Sequence, residues 1–517
     1  MTQMQTVFLD GETLSLPELL MVANQKAKVE ISLDAWPKIH AARQVVERII
    51  HSGETVYGIN TGFGALVKQR ISSHDLAQLQ LNLIRSHATA LGEAMDQTST
   101  RAMMLVRLNS LCKGHSGIHP DCLNQLVLYL NEGIHPVVPR IGSLGASGDL
   151  APLSHLALAL IGEGQVMVDG KKRETRDVLF EKGLIPLSLT AKDGLSLING
   201  TSQMTAFASL AQQYLGQLLI LADIILALSM DARKCSLAPS HPDVHAARPH
   251  PGQQIVAQRL RMILQSSEIL ASHANCDRVQ DPYSFRCAPQ VHGAVYESFM
   301  KLTNMLSIEL NSATDNPLIF PTPSTPGSHE VISQGNFHGE IVALHCDAMS
   351  LALFELGSIS ERRIDQLLDP AKSELPPFLA INSGLESGLM IVQYVAGASL
   401  AELHGHATPR SAFSTSTSAG QEDHVSMGAT AAWNLLTAVR RCSEVLACEA
   451  LVACEALEYA EFSSSPHVRT LQKLIRTISP PLKADRSTSE ELIRLAHAFL
   501  EGGWLARIES ECGRLPQ

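Results

Sequence analysis

The stretch TAFASLAQQYLGQLLILADIILALSMDAR (residues 205–233) has few helix-breaking residues, and its apolar side chains cover most of the circumference of a helix. Residues 336–368 and 429–462 share this pattern. Each stretch would form a continuous helix of about 45 Å at 1.5 Å per residue. Because helices that are apolar all round must be buried, the sequence predicts a large helix bundle that continues across subunits.

The chain before residue 205 has a different sequence pattern. Glycine and proline interrupt it often, as in GETVYGINTGFGAL and VVPRIGSLGASGDLAP, which is typical of loops between short elements. Strand-like alternation is scarce throughout. We therefore predict a mainly α protein with a smaller, loop-rich N-terminal domain (1–205) and a C-terminal helical bundle domain (206–517).

Composition excludes several classes of function. The 517 residues carry a formal net charge of -11, which disfavours a nucleic-acid partner. The most apolar run, 215–230, is interrupted by Gln217 and Asp223 and is shorter than the ~20 residues that span a bilayer, so we expect no membrane segment. The N-terminus lacks the pattern of a signal peptide, and the ten cysteines form no CxxC pair. These features favour a cytoplasmic protein.

The glycine-rich loop GSLGASGDLAPLSH (142–155) is a candidate catalytic or binding loop. It matches neither a P-loop nor a dinucleotide fingerprint, and a nucleophile elbow would need its last glycine one place later. One interpretation is a tight turn before a helix, with Asp149 as N-cap and Pro152 in the first turn. Another is a serine hydrolase that pairs Ser147 with His155 or another histidine.

A third interpretation is covalent. In Ala146-Ser147-Gly148 the amide nitrogen of Gly148 can attack the carbonyl carbon of Ala146 and close a five-membered ring. Loss of water, including the Ser147 hydroxyl, would leave an exocyclic methylidene. Glycine is the unhindered nucleophile, and its backbone freedom permits the bend. The product would be a strong electrophile.

The stretch resembles the prosthetic-group loop of the aromatic amino acid ammonia-lyase family, whose self-made cofactor is 4-methylidene-imidazol-5-one. Further matches run in order through roughly residues 50 to 430. They are YGINTGFG (57–64), LNLIRSHATALG (81–92), DGLSLINGT (193–201), HAARPHPGQ (245–253), QDPYSFRCAPQV (280–291), GNFHGE (335–340), GSISERR (357–363) and GQEDHVSMG (420–428).

This resemblance implies an almost all-α homotetramer whose active sites combine residues from several chains, with no external cofactor. It implies that Ala146, Ser147 and Gly148 form the prosthetic group, that Tyr57 is the catalytic base and that Arg286 grips the substrate carboxylate. The remaining site residues that we predict are Tyr283, as a catalytic residue, and Asn199, Gln280, Phe337 and Met390, in substrate binding.

Two features point to the substrate. The resemblance places Ser86-His87 beside the substrate ring, and this pair is of the histidine type. Glu422 could accept a hydrogen bond from an imidazole N–H, whereas beside a phenyl ring its burial would cost free energy. We therefore expect elimination of ammonia from L-histidine to give trans-urocanate. The local alternatives are a core histidine at position 87 and a helix-start capping box, Ser418 to Gln421, before Glu422.

The segment ELHGHATPRSAFSTST (402–417) departs from the family pattern. Leu403-His404 replaces the usual Asn-Lys, and Arg410-Ser411-Ala412-Phe413 follows Pro409. A tyrosine or phenylalanine ammonia-lyase, or a 2,3-aminomutase, is therefore an alternative, as is an inactive homologue.

Histidine clusters raise the possibility of a metal site. They are His241, His245 and His250, and His404 with His406. No HExxH motif or suitably placed cysteine accompanies them, so we expect no catalytic metal.

Overall fold

The computed structural model describes residues 4–61, 71–72, 74–274, 279–322 and 330–517. Over these residues the chain is mainly α-helical, as predicted. The helices, α1 to α21 in chain order, are Leu16–Ala23, Ala35–Ser52, Leu76–His87, Gln97–Cys112, Pro120–Asn131, Leu150–Leu160, Thr175–Lys182, Asp193–Ile198, Ser202–Ala232, Pro242–Ala246, Pro251–Ile263, Glu268–Ser272, Tyr283–Arg286, Ala288–Glu309, Glu340–Leu368, Pro370–Ser373, Met390–His406, Gly428–Leu457, Pro466–Arg476, Ser489–Glu501 and Trp504–Cys512.

The strands are short. In chain order β1 to β9 are Gln5–Leu9, Ala27–Ile31, Leu91–Ala94, His135–Pro136, Pro139–Ile141, Gln165–Val168, Lys171–Glu174, Leu318–Ile319 and Val331–Ile332. The pair β1–β2 is parallel, whereas β3–β5, β4–β6–β7 and β8–β9 are antiparallel. Short 3₁₀ helices occur at Ala238–Ser240, Pro377–Leu379 and Ser418–Gly420.

The three long apolar stretches form α9, α15 and α18, which confirms the prediction of long helices. The apolar pattern continues a few residues beyond the helix in places: α15 begins at Glu340 rather than 336, and α18 ends at Leu457 rather than 462. Two of them, α9 and α15, are long and apolar enough to cross a membrane. In α9, however, 89% of the apolar window is buried inside the protein, and in α15 56% is buried.

The chain divides into two compact units. The first comprises residues 1–210, 304–346 and 410–433, and the second comprises 211–303, 347–409 and 434–517. The first unit therefore includes two later segments that a single boundary at 205/206 assigns to the C-terminal domain. All nine described strands fall within it.

Local sequence explains several helix starts. Ser15 forms a capping box with Glu18, in which the Ser15 hydroxyl accepts from the Glu18 amide and the Glu18 carboxylate accepts from the Ser15 amide. At the start of α19 the Ser465 hydroxyl accepts from the Val468 amide, with Pro466 at the first helical position. These caps satisfy amides that lack a partner within the helix.

Candidate active site

A cavity of about 1030 Å³ lies in the first unit. It brings together residues that are far apart in sequence, and most of the predicted site residues line it. These are Tyr57, His87, Ala146, Ser147, Asn199, Phe337 and Glu422, and Ser86 lines it as well.

The tripeptide Ala146-Ser147-Gly148 sits against a second glycine. Gly148 has a φ of +76°, and its backbone forms a parallel bridge with Gly200. A Cβ at Gly148 would lie 2.2 Å from the carbonyl oxygen of Gly200, so no larger residue fits. The next amide, that of Asp149, donates to the same carbonyl at 2.7 Å. Glycine is therefore required at position 148 for both its φ and its close approach.

The other flank of the loop is held by two distant segments. The carbonyl of Leu144 accepts from the amide of Met427 at 2.8 Å. The carbonyl of Gly145 accepts from the Ser426 hydroxyl at 2.8 Å and from the amide of Gly339 at 2.9 Å. The tripeptide is thus fixed at both ends while its middle residue faces the cavity.

Asp149 occupies the N-cap position of α6, as predicted, but its side chain does not cap that helix. One carboxylate oxygen accepts from the amides of Gln203 and Met204 in the first turn of α9, at 2.6 and 3.3 Å. The other accepts from the Ser143 hydroxyl at 2.7 Å. Burial raises the pKa of Asp149 to about 6, against the lowering effect of these hydrogen bonds. The carboxylate therefore joins the tripeptide to α9.

Asn199 ends α8 in a buried polar network. Its amide nitrogen donates to Asp315 Oδ1 at 3.2 Å and to the Asn316 carbonyl at 3.0 Å. Lys192 Nζ lies 2.9 Å from Asp315 Oδ2, and both side chains are fully buried. Arg107 donates to the Asn199 carbonyl at 2.6 Å. Burial lowers the pKa of Arg107 and the pKa of Lys192. Nearby carboxylates, Asp315 among them, oppose this effect, but the net shift of both pKa values is downward. The network holds Asn199 and the following Gly200 in place.

His87 is the last residue of α3. Its Nδ1 lies 2.8 Å from the carbonyl oxygen of Leu83. Burial lowers the pKa of His87, although the Leu83 carbonyl and the charge of Glu422 act in the opposite direction. A neutral ring that donates from Nδ1 to Leu83 keeps Nε2 as an acceptor. His87 therefore offers the cavity a hydrogen-bond acceptor.

Glu422 links the tripeptide to Thr417 through its carboxylate. Its Oε1 accepts from the Ser147 hydroxyl at 3.0 Å, and its Oε2 accepts from the Thr417 hydroxyl at 2.8 Å. The capping-box interpretation is wrong. Ser418–Gly420 is a 3₁₀ turn in which Ser418 has a φ of +52°, and the next α-helix begins only at Gly428. Glu422 is thus a half-buried loop carboxylate rather than a first-turn residue.

The geometry disfavours the hydrolase alternative with His155. Ser147 donates to a carboxylate, Glu422, and not to an imidazole. His155 Nε2 accepts from the amide of Ala90 at 3.2 Å, so this nitrogen is not available to take a proton from serine. A serine nucleophile needs a base within hydrogen-bond reach.

Tyr57 lies in the turn that follows α2, is half-buried and lines the cavity. The end of its motif, residues 62–64, lies outside the described residues. Phe337 supplies an apolar part of the same lining, from the segment just before α15.

The remaining predicted residues lie in the second unit. Gln280 and Arg286 line a separate cavity of about 510 Å³. Tyr283 and Arg286 are at the two ends of α13, with the guanidinium 4.7 Å from the centre of the tyrosine ring. Met390 is the first residue of α17. Among the described residues, the lining of the Ser147 cavity includes none of these four.

The structure also accounts for residues that weakened the family match. Leu403 is buried in α17, and the ring of His404 packs edge-on against Phe354 at 5.1 Å. Over the described part of the chain, neither they nor residues 410–413 line the Ser147 cavity. The candidate metal histidines also have other contacts: His245 Nε2 lies 2.9 Å from the Pro239 carbonyl, and His406 Nδ1 lies 2.7 Å from Asn434 Oδ1.

Sequence reasoning missed several polar residues of the cavity and of its support. Arg107 lies within the apolar run of α4, where its role depends on contacts 92 residues away. His338 and His424 occur in two of the family motifs, but no pattern in either motif marks them as a pair. The cavity residues not predicted include Asn82, Asn316, Gln334, His338, Gln421, Asp423 and His424.

Comparison with known proteins decides the family. The family profile described as aromatic amino acid lyase matches residues 14–477. The chain belongs to the aromatic amino acid lyase family. A histidine ammonia-lyase of Myxococcus xanthus is 47% identical over 426 residues, which cover 82% of this chain and 83% of that protein.

Solved structures of the family have the same fold. The crystal structure of histidine ammonia-lyase from Trypanosoma cruzi is 40% identical with a TM-score of 0.91, covering 99% of this chain and 96% of that one. A tyrosine aminomutase from Streptomyces globisporus is 36% identical with a TM-score of 0.93, covering 99% and 100%. The long-helix fold is therefore shared by lyases and aminomutases, and the side chains of the cavity must distinguish them.

Proposed function

We propose that the protein is a cytoplasmic histidine ammonia-lyase that converts L-histidine into trans-urocanate and ammonia. The observation that carries the proposal is that His87 and Glu422 line the same cavity as the Ala146-Ser147-Gly148 tripeptide. The single N–H of a neutral imidazole suits the Glu422 carboxylate as its acceptor, and His87 lies in the same cavity. The names of the relatives, at 43% to 47% identity, support the same substrate.

We infer that the tripeptide forms 4-methylidene-imidazol-5-one. The fit rests on the chain itself: glycine at 148 is required by its positive φ and by the 2.2 Å approach to Gly200, and both flanks of the loop are hydrogen-bonded to other segments. When formed, this group supplies an electrophile that none of the twenty ordinary side chains provides. Ser147 is then a precursor residue of this group and does not act as a nucleophile.

The other cavity residues position the substrate and move its proton. Glu422 accepts the imidazole N–H, and His87 contacts the same ring. Tyr57, as the phenolate, takes the proton from the β-carbon and becomes the phenol, which requires its oxygen to lie within hydrogen-bond reach of that proton. Asn199 Oδ1 is buried and has no hydrogen-bond partner among the described residues, so it is available to a polar group of the substrate.

Arg286 would bind the substrate carboxylate through two N–H groups. Because it lines a different cavity from Ser147, we propose that Arg286, with Tyr283, Gln280 and Met390, reaches the site from a neighbouring copy in a homotetramer. Exposed apolar side chains on the long helices support an assembly, since such patches mark protein interfaces. They include Ile341, Leu344 and Leu351 on α15 and Ile391 and Tyr394 on α17.

Purified protein with L-histidine should show rising ultraviolet absorbance from urocanate, and its intact mass should be lower than the sequence mass by two waters. Ser147→Ala should keep the fold, lose activity and show the full mass expected for its sequence. The matched control is Ser154→Ala, because the Ser154 hydroxyl donates within α6 to the Leu150 carbonyl at 2.7 Å. Turnover of tyrosine or phenylalanine but not histidine would contradict the substrate, and formation of β-amino acids would indicate an aminomutase.

The shared active site has its own test. Tyr57→Phe and Arg286→Lys should each be nearly inactive alone. Mixed tetramers assembled from both variants should regain part of the activity. In some of their sites the Arg286→Lys chain supplies Tyr57 and the Tyr57→Phe chain supplies Arg286, so that both residues are present. No recovery in mixtures that demonstrably contain both chains would contradict sharing.

A further inference from the structure

A cluster of metal-ligating side chains lies at the rim of the same cavity and has no part in the proposed reaction. One nitrogen each from His338 and His424 and one carboxylate oxygen of Glu340 lie within 4.8 Å of one another. His338 and His424 also line the cavity, whereas Glu340 begins α15 just behind it. The cluster therefore joins the segment before α15 to the segment before α18.

The carboxylate of Glu340 has an unsatisfied oxygen. Oε2 is buried and has no hydrogen-bond partner in the described chain, and its nearest cationic candidate is His424 Nε2 at 3.7 Å, beyond hydrogen-bond distance. A buried carboxylate oxygen without a partner costs free energy. A cation held between Glu340 and His424 would remove that cost.

The two histidine rings are neighbours. They stack nearly parallel, with an interplanar angle of 3° and centroids 5.8 Å apart. Because the lone pair of each nitrogen lies in its ring plane, the exposed His424 ring must turn before both rings can bind one ion. His338 Nε2 lies 3.3 Å from the backbone carbonyl oxygen of His424. If the proton is on Nε2, this nitrogen donates to the carbonyl, and Nδ1 carries the lone pair that can bind a metal. Metal-binding histidines usually donate their second ring N–H to such a carbonyl or carboxylate.

We infer that His338, Glu340 and His424 bind one divalent transition-metal ion of the zinc type. Two imidazoles and one carboxylate are a donor set typical of Zn²⁺ with an open fourth position. Ligand atoms bound at about 2.1 Å in a tetrahedron are roughly 3.4 Å apart, so side-chain movements of up to about 1.4 Å from the present separations complete the site. Mg²⁺ and Ca²⁺ prefer oxygen ligands and fit it poorly.

Binding would act on the cavity from its rim. Phe337 and Glu422, which line the cavity, lie within two residues of His338 and His424 in sequence. A metal that ties these two segments together restrains both walls. Its effect should therefore appear in the KM of the substrate more than in kcat, because the tripeptide and Tyr57 are not among its ligands.

The test uses the full-length protein freed of metals by dialysis against a chelator, with no amino acid present. Isothermal titration with Zn²⁺ alone should show one ion per chain, and Co²⁺ alone should give the intense visible bands of a four-coordinate ion. His338→Ala, His424→Ala and Glu340→Gln should each weaken binding at least tenfold. The control is His345→Ala, which removes a histidine on α15 whose Nδ1 lies 2.8 Å from the Ile341 carbonyl oxygen and which is not part of the cluster.

No saturable binding by the wild-type chain would overturn the inference, and so would unchanged affinity in both His424→Ala and Glu340→Gln. Circular dichroism of each variant shows whether it has folded, and Glu340→Gln preserves the shape of the side chain if a histidine variant does not fold. Metal binding is measured without substrate, so its failure is distinguishable from failure of the lyase proposal, which the urocanate assay tests.

Discussion

Replacing Gly200 with alanine tests whether the backbone beside the tripeptide controls its proposed cyclisation. Gly200 has a φ of +148°, and a Cβ there would lie 2.3 Å from Arg107 Nη1 and 2.4 Å from the Thr314 carbonyl oxygen. The backbone carbonyl cannot move aside as a flexible side chain can. Alanine must therefore push the Gly200 backbone away from Gly148.

The cost can be worked out from the structure. An L side chain at positive φ costs about 1–2 kcal/mol, and forcing apart packed atoms costs about 1–3 kcal/mol. The displaced backbone also weakens the 2.7 Å hydrogen bond from the Asp149 amide to Gly200, worth about 1 kcal/mol. These costs sum to about 3–6 kcal/mol, and even the lower end makes the native loop geometry roughly 100-fold less populated. We expect most of the variant chains to remain uncyclised.

Intact mass spectrometry measures the cyclised fraction directly, and urocanate formation should fall in proportion to it. The matched control is Gly183→Ala, where φ is +66° but no atom of the described residues lies within 4 Å of the added Cβ. This variant has an L side chain at positive φ but no steric clash of its Cβ, and it should lose two waters as the wild-type protein does. A Gly200→Ala protein that cyclises completely and turns over normally would refute the reasoning.

Three further predictions concern charge. Burial lowers the pKa of His135 from 6.5 to about 4. The unfolded chain therefore binds this proton first as the pH falls, and stability drops below pH 6.5. Between pH 7 and 5 the loss should be about 2 kcal/mol, and urea unfolding of His135→Phe should lack that part of the pH dependence. Glu422→Gln should lower kcat/KM for L-histidine roughly 10- to 100-fold, since hydrogen bonds to charged groups contribute about 1.5–3 kcal/mol; an unchanged ratio in steady-state assays would contradict its role. Lys192→Met leaves the buried Asp315 carboxylate without its cation and should destabilise the protein by about 3–5 kcal/mol in denaturant unfolding, whereas a shift below 1 kcal/mol would contradict this.

The sequence predicted those parts of the fold that depend on local patterning. The all-round apolar character of α9, α15 and α18 predicts long buried helices. Some predicted ends differ from the observed ones by a few residues, because the apolar sequence pattern continues past the end of the helix. The motifs around Tyr57, His87 and Glu422 likewise predicted residues that line one cavity. Such features are carried by neighbouring residues or by a recognised motif.

Long-range contacts could not be predicted in this way. Asp149 looks like the cap of its own helix, yet its carboxylate accepts from Gln203, 54 residues later. The interpretation of Ser418 to Gln421 as a capping box failed because Ser418 and Ala419 adopt positive φ values, which a capping pattern does not reveal. The partnership of Gly148 with Gly200 depends on which backbones meet in the folded chain.

The hydrogen bond between Ser426 and Gly145 joins residues 281 positions apart. It has a consequence for biosynthesis. A growing polypeptide reaches residues 146–148 early, but the segment that holds their upstream flank leaves the ribosome hundreds of residues later. If these residues cyclise as proposed, cyclisation follows the synthesis of residue 428 or so, and the nascent chain stays unreactive until its fold is nearly complete.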